Sequence, residues 1–261
     1  MLHPYVTILA DRQMTARQIT ERAARRTAEP RPATEPPTQA AAPSAVTMTG
    51  GQFRRLLAAV LPSAATDDLL PQLNAVHVET GPRGIFAAAT DRYTFAVARH
   101  ADPAPGRPEA RITIPRRAAT AMWRLAGHRD PQVTVAITGG CLSLRTSAGV
   151  TYQTPAVDTR HGGFPDWRAL LRGLLAAPQA PAGQPVWLNP AFLARFKAAT
   201  HTAGLRVTIR TPAHSGCCQT LVITAGDWFI GALMSRATPA QAARAGDPGT
   251  WDADLRPRQA A

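Results

Sequence analysis

The sequence predicts an α+β fold assembled from a repeated unit: a short strand, one amphipathic helix, then two or three alternating strands. Three observations predict it. Helical apolar stripes recur inside "VTMTGGQFRRLLAAVL", "ARITIPRRAATAMWRLAG" and "VWLNPAFLARFKAA". Each stripe follows a short strand-like stretch, and each precedes runs that alternate apolar and polar residues around glycine turns. One such unit is too small to close a core, so two make a domain and three make a domain and a half.

Within the first unit, Thr49 is placed to cap a helix, and Phe53, Leu56, Leu57, Val60 and Leu61 fall on one face. "NAVHVET", "GIFAAAT" and "YTFAVAR" follow as strands, the first two around a Gly81–Gly84 turn. In the second unit Pro115 opens the helix, and Ala119, Met122, Trp123 and Ala126 form its stripe. "VTVAIT", Gly139-Gly140 and "CLSLRT" spell a tight hairpin, with "VTYQTPAV" next. In the third, Asn189 caps, Pro190 lies in the first turn, and Phe192, Leu193 and Phe196 face inward. "LRVTIRT", "TLVITA" and "WFIGALM" complete it, with a Gly226-Asp227 turn before the last strand.

These signals set the expected organisation. Residues 1–45 form an arm, weakly helical around a Thr15/Gln18 capping box and then Pro-rich from 28 to 45. A full domain covers 46–170, from repeats 46–101 and 110–170. A linker covers 171–185, a half-domain 186–237 and a flexible tail 238–261.

The 261 residues carry a formal net charge of +12, and Lys197 is the only lysine among 29 Lys and Arg. That surplus favours polyanionic partners such as nucleic acid. On the polar faces of the helices stand Arg54 and Arg55, then Arg116, Arg117 and Arg124, then Arg195 and Lys197. No acidic residue interrupts any of them. One-signed faces on three equivalent helices suit phosphate tracking without base reading, so these seven are the candidate DNA-binding residues.

Other classes find no support. No apolar run is long enough to span a bilayer, the start is not a signal peptide, and three cysteines (Cys141, Cys217, Cys218) suggest a reduced, cytoplasmic chain. There is no phosphate-binding loop, nucleophile elbow or zinc-protease motif. The seven histidines are scattered, and no carboxylate constellation stands out. No catalytic residue, metal or cofactor is expected.

"ATDRYTFA" at 89–96, "ITIPRR" at 112–117, "GGFPDW" at 162–167 and "LMSRA" at 233–237 occur in an order that resembles the bacterial sliding clamp, the beta subunit of DNA polymerase III. The resemblance implies a non-catalytic processivity factor whose helices line a hole for double-stranded DNA, held without sequence preference. It also implies an apolar groove where polymerase and other clamp-binding proteins insert a short peptide. Carried over by position, that groove comprises Leu73, Thr90, Phe95, Pro165, Leu170 and Met234. Family clamps have three full domains. Here the first domain and half of the last are expected to be missing, so the half-domain either docks on the full one or pairs with a second copy. The expected location is cytoplasmic, at the nucleoid. Two rival readings are a non-encircling decoy or regulator that keeps the groove, and a general arginine-rich DNA-binding protein working through its arm.

Overall fold

The structure, a computed structural model, describes residues 44–158, 162–180, 186, 188–200, 204–211 and 219–235. The predicted helix and most of the Pro-rich arm, and the tail from 238, lie outside them.

Strand β1 (Ser44–Met48) leads into α1 (Gly50–Val60), and a single 3₁₀ turn, Leu61–Ser63, follows. Then come β2 (Ala75–Gly81), β3 (Gly84–Thr90), β4 (Thr94–Ala101), β5 (Ala110–Pro115) and α2 (Arg116–Leu125). The second repeat ends with β6 (Val133–Thr138), β7 (Cys141–Thr146) and β8 (Thr151–Pro155), followed by α3 (Trp167–Ala176). The third unit contributes α4 (Pro190–Leu193), a 3₁₀ stretch Ala194–Thr200, β9 (Arg206–Arg210), β10 (Thr220–Ala225) and β11 (Phe229–Met234).

The opening strand of each repeat crosses to the other repeat's sheet. β1 joins β6 in a four-stranded sheet ordered β1-β6-β7-β8, while β5 pairs with β2 at one end of a seven-stranded sheet. Neither repeat can therefore close alone. That exchange also moves the first boundary: Ser44 and Ala45 are already paired with Ile137 and Ala136, two residues before the expected start at 46.

The seven-stranded sheet runs β5-β2-β3-β4-β11-β10-β9, so the third unit docks on the full domain by pairing β11 with β4. Of the two fates open to the half-domain, the structure shows docking. Helices α1 and α2 and the 194–200 stretch all lie on one face of these sheets, with α1 touching both of the others. Beneath them is one continuous core that includes Phe53, Leu57, Ile85, Met122, Leu144, Phe196, Ile223 and Leu233.

Local chemistry explains the helix starts. Thr49 and Gln52 make the reciprocal capping box, with Thr49 Oγ1 accepting from Gln52 N at 3.2 Å and Gln52 Oε1 accepting from Thr49 N at 2.8 Å. Gly50 must be glycine, because a Cβ there would lie 2.1 Å from the Gly127 carbonyl oxygen. Pro115 ends β5 and stands one residue before α2, not within its first turn. Asn189 caps α4 as expected.

The third unit departs most from expectation. Among the described residues, Val186 and Leu188 carry no strand; they pack half-buried on the core. After one α-helical turn the segment tightens to 3₁₀ geometry, whose three residues per turn break the 3.6-residue stripe. Leu193 consequently faces out, 39% exposed, while Phe196 is fully buried. The expected linker at 171–185 is also corrected at its start, since α3 continues through Ala176.

Sheet edges are covered unequally. β5 receives a backbone bond from Val157, and β9 is bridged by Gln179. Among the described residues, no strand pairs with the outer edge of β8, and its five residues carry no charge.

Candidate functional site

Two surfaces carry the candidate residues: the helical face and the opposite, outer face of the seven-stranded sheet. On the helical face the seven candidate cations separate by environment. Arg54 Nη1 donates to the carbonyls of Trp123 (2.6 Å) and Ala126 (3.2 Å), and its guanidinium lies 4.0 Å from the Trp123 ring centroid. It thus satisfies carbonyls at the end of α2 and joins the two helices. The Arg55 guanidinium stacks 3.7 Å from the Trp228 ring, and Arg116 is half-buried. Arg117, Arg124 and Lys197 are exposed, the first two being seven residues apart on one helix, nearly two turns.

Arg195 has a different task. Its Nη1 pairs with Asp91 Oδ2 and donates to Thr94 Oγ1 at 2.7 Å, and it stacks 4.6 Å from the Phe192 ring. Asp91 organises the turn between β3 and β4. Its Oδ1 accepts from Tyr93 N (3.0 Å), Thr94 N (2.7 Å) and Thr94 Oγ1 (3.0 Å). Thr90 Oγ1 donates to the Thr94 carbonyl and accepts from Arg92 N. Arg92 adopts φ +80°, the left-handed conformation that favours glycine. The polar Thr90-Asp91 pair inside an otherwise apolar strand pattern is therefore a turn anchor, and through Arg195 it fastens the third unit.

Strand alternation assigns the outer face. Phe86, Ala88 and Thr90 on β3 share it with Phe95 and Val97 on β4, and with Ile230, Ala232 and Met234 on β11. Register places Thr90 opposite Phe95, and Phe95 opposite Ala232. Met234 N donates to the Tyr93 carbonyl at 2.9 Å. Three of the six groove candidates, Thr90, Phe95 and Met234, are thus brought together. Pro165 and Leu170, both half-buried, flank the start of α3, whose Trp167 and Leu171 cluster with Phe95 and Val97. Leu73 is buried in the turn before β2. Thr90 and Phe95 are also buried, so of the six only Pro165, Leu170 and Met234, all half-buried, offer surface to a partner.

Sequence reasoning missed the latch that holds α3. Asp166 Oδ1 caps the helix, accepting from Arg168 N and Ala169 N, both at 3.0 Å. Glu79 on β2 accepts from Trp167 Nε1 at 2.9 Å, pairs with Arg168, and lies 3.1 Å from His77 Nε2. His77 stacks on Phe164, centroids 4.9 Å apart. The spacing of Trp167, Leu171 and Leu174, with an aspartate before it, was the available signal; the Ala/Pro/Gly-rich residues that follow obscured it.

Burial raises the Glu79 carboxyl, but hydrogen bonds from His77, Arg168 and Trp167, with the Arg168 charge, outweigh it and hold the group at about 2 instead of 4.5. A depressed carboxylate stabilises the fold fully above its unfolded value and loses that contribution as pH falls from about 4.5 toward 2. Glu79→Gln should therefore cost on the order of 2 kcal/mol at neutral pH and flatten the acid limb of a urea-stability profile. An unchanged acid limb would show that the latch does not titrate.

Between β4, β11 and α3 the same face holds a cavity of about 350 Å³, lined by Phe86, Val97, Trp167, Trp228, Ile230 and Arg99 among others. Among the described residues, no group of three or more His, Cys, Asp or Glu could hold a metal ion, and no helix is long and apolar enough to cross a membrane.

Residues 47–166 match the family described as DNA polymerase III beta subunit, central domain. No curated protein matches the chain by sequence. Among solved structures, the Thermotoga maritima DNA polymerase III beta subunit is similar with a TM-score of 0.57 at 16% identity, over 80% of this chain and 68% of that one. The Bacillus subtilis DNA polymerase sliding clamp gives 0.57 at 13%, over 81% and 68%. A Pseudomonas aeruginosa sliding clamp bound to griselimycin gives 0.59 at 15%, over 80% and 68%. At such identities the likeness is one of fold.

Proposed function

We propose that this chain serves as a non-catalytic docking factor on duplex DNA, a reading supported by the match of residues 47–166 to the beta-subunit central-domain family and by the sliding-clamp fold of the chain. Arg117, Arg124 and Lys197 contact phosphates non-specifically, with Arg116 behind them, and partner peptides of the replication machinery lie over Thr90, Phe95, Pro165, Leu170 and Met234. The observation that carries this is the side-by-side placement of three helical segments, none containing an acidic residue, on one face of the sheets.

The test is retention on nicked circular DNA across a salt series. Each lost phosphate contact lowers the log–log salt slope by about 0.9, so joint charge reversal of Arg117, Arg124 and Lys197 should reduce it by about 2–3. Equal retention by the reversed and parent chains would defeat the proposal.

A second reading, the non-encircling regulator, draws support from Arg54, Arg55 and Arg195, which are engaged inside the fold. It keeps the groove without the DNA. Griselimycin, held by the Pseudomonas clamp of similar fold, is the probe for that half. We expect binding that Met234→Arg abolishes. Griselimycin binding without DNA retention selects the regulator; no binding removes the groove from both readings.

A further inference from the structure

On the groove reading, which this step requires, we propose that peptide capture and docking of the third unit form one linked equilibrium, with Arg195 a positioning residue of the groove and not a DNA contact. The groove is composite. Pro165 and Leu170 belong to the full domain, at the start of α3, whereas Met234 ends β11 in the third unit. A ligand that needs both walls binds only the docked state, so occupancy and docking favour each other by the same factor.

Three contacts set where Met234 stands, and all converge on the turn between β3 and β4. Met234 N donates to the Tyr93 carbonyl at 2.9 Å. The Tyr93 ring stacks on Phe192 of α4, centroids 5.8 Å apart and planes within 12°. Arg195 packs on the same Phe192 ring at 4.6 Å, pairs through Nη1 with Asp91 Oδ2, and donates to Thr94 Oγ1 at 2.7 Å. Both members of the ion pair are largely shielded from water, so salt screens it less than a surface pair. Asp91 spends its other oxygen on the turn itself. Arg195 therefore joins the third unit to the strand ends that carry Thr90 and Phe95.

The link extends beyond the groove. β11 holds β10, and β10 holds β9, which lies two strands or roughly 10 Å farther out. No groove candidate lies on β9, so a groove ligand slows exchange there by holding the whole unit in place. The same unit carries Lys197 in the 194–200 stretch beside α1. Capture of a partner thus also fixes that part of the helical face.

Hydrogen exchange on the full chain, with griselimycin as the probe, tests the linkage. In the parent, β9 to β11 should exchange faster than β6 and β7, because the unit releases separately. At a concentration near 100 times its Kd, griselimycin should slow β9 exchange about 100-fold, and Met234→Arg should remove that protection. Arg195→Ala should weaken griselimycin about tenfold and speed β9 exchange. Arg195→Lys keeps the charge and its donors and should restore both to within about threefold. Equal exchange on β9 and β6 in the parent, or β9 exchange indifferent to bound griselimycin, would overturn the linkage while leaving the groove standing. Parent-like griselimycin affinity in an Arg195→Ala chain whose β9 exchanges faster would overturn the positioning role. No griselimycin binding by the parent would overturn the groove reading and this inference with it.

Discussion

Asp91→Ala should lower unfolding stability by about 3 kcal/mol, and the third unit should come away first. Asp91 and Arg195 side chains are only 12% and 26% exposed. Removing one partner of a buried pair leaves the other charge uncompensated, which costs about 3–5 kcal/mol when burial is complete. Here the alanine also strips three donors in the turn, Tyr93 N, Thr94 N and Thr94 Oγ1, of their acceptor. Asp91→Asn separates the two contributions, because its side-chain oxygen can still serve the turn while the charge is gone. Its loss should be about half as large. The check is urea unfolding paired with hydrogen exchange on β9 to β11. If both variants stay within about 0.5 kcal/mol of the parent, Asp91 is not the fastening point.

Gly231→Ala should cost about 2–3 kcal/mol. A Cβ at 231 would fall 2.5 Å from Phe196 Cε1, 3.0 Å from its Cδ1 and 3.2 Å from Phe229 Cζ. Phe196 is fully buried and meets Phe229 edge-on, centroids 6.1 Å apart, so the ring has little room to retreat. Phe196→Leu alone should destabilise by opening space, yet in the Gly231→Ala chain it should restore part of the loss. A favourable coupling of about 1 kcal/mol or more in the double-mutant cycle identifies the contact. Strict additivity would mean that the 194–200 stretch packs elsewhere.

The repeat was legible because periodicity reports burial directly: the stripe of Phe53, Leu56, Leu57 and Val60 lies in the core, as does Met122. What periodicity cannot report is which sheet a strand joins. Nothing in "SAVTM" indicates that β1 pairs with β6, about ninety residues away, and only docking of the third unit decides the partner of β4. Residue type alone misleads for the cations as well. Arg54 and Arg117 look equivalent on a helical wheel, but Arg54 stacks on Trp123 and serves carbonyls at the end of α2, whereas Arg117 is exposed. Of the candidate groove residues, Thr90, Phe95 and Met234 converge because register and alternation put them on one face. Pro165 and Leu170 reach that face through the Glu79 latch, which joins positions 79 and 167–168 across a long stretch of chain, and through the packing of Trp167 and Leu171 on Phe95 and Val97.

The bare margin of β8 has a consequence for handling this protein. Among the described residues no strand shares the outer amide and carbonyl groups of Thr151 to Pro155, and the strand has no lysine or glutamate to repel a visitor, the condition under which a stray extended segment is copied strand by strand into a growing assembly. Concentration, more than temperature, will set its shelf life, and turbidity will be nucleated at this margin before the core has melted.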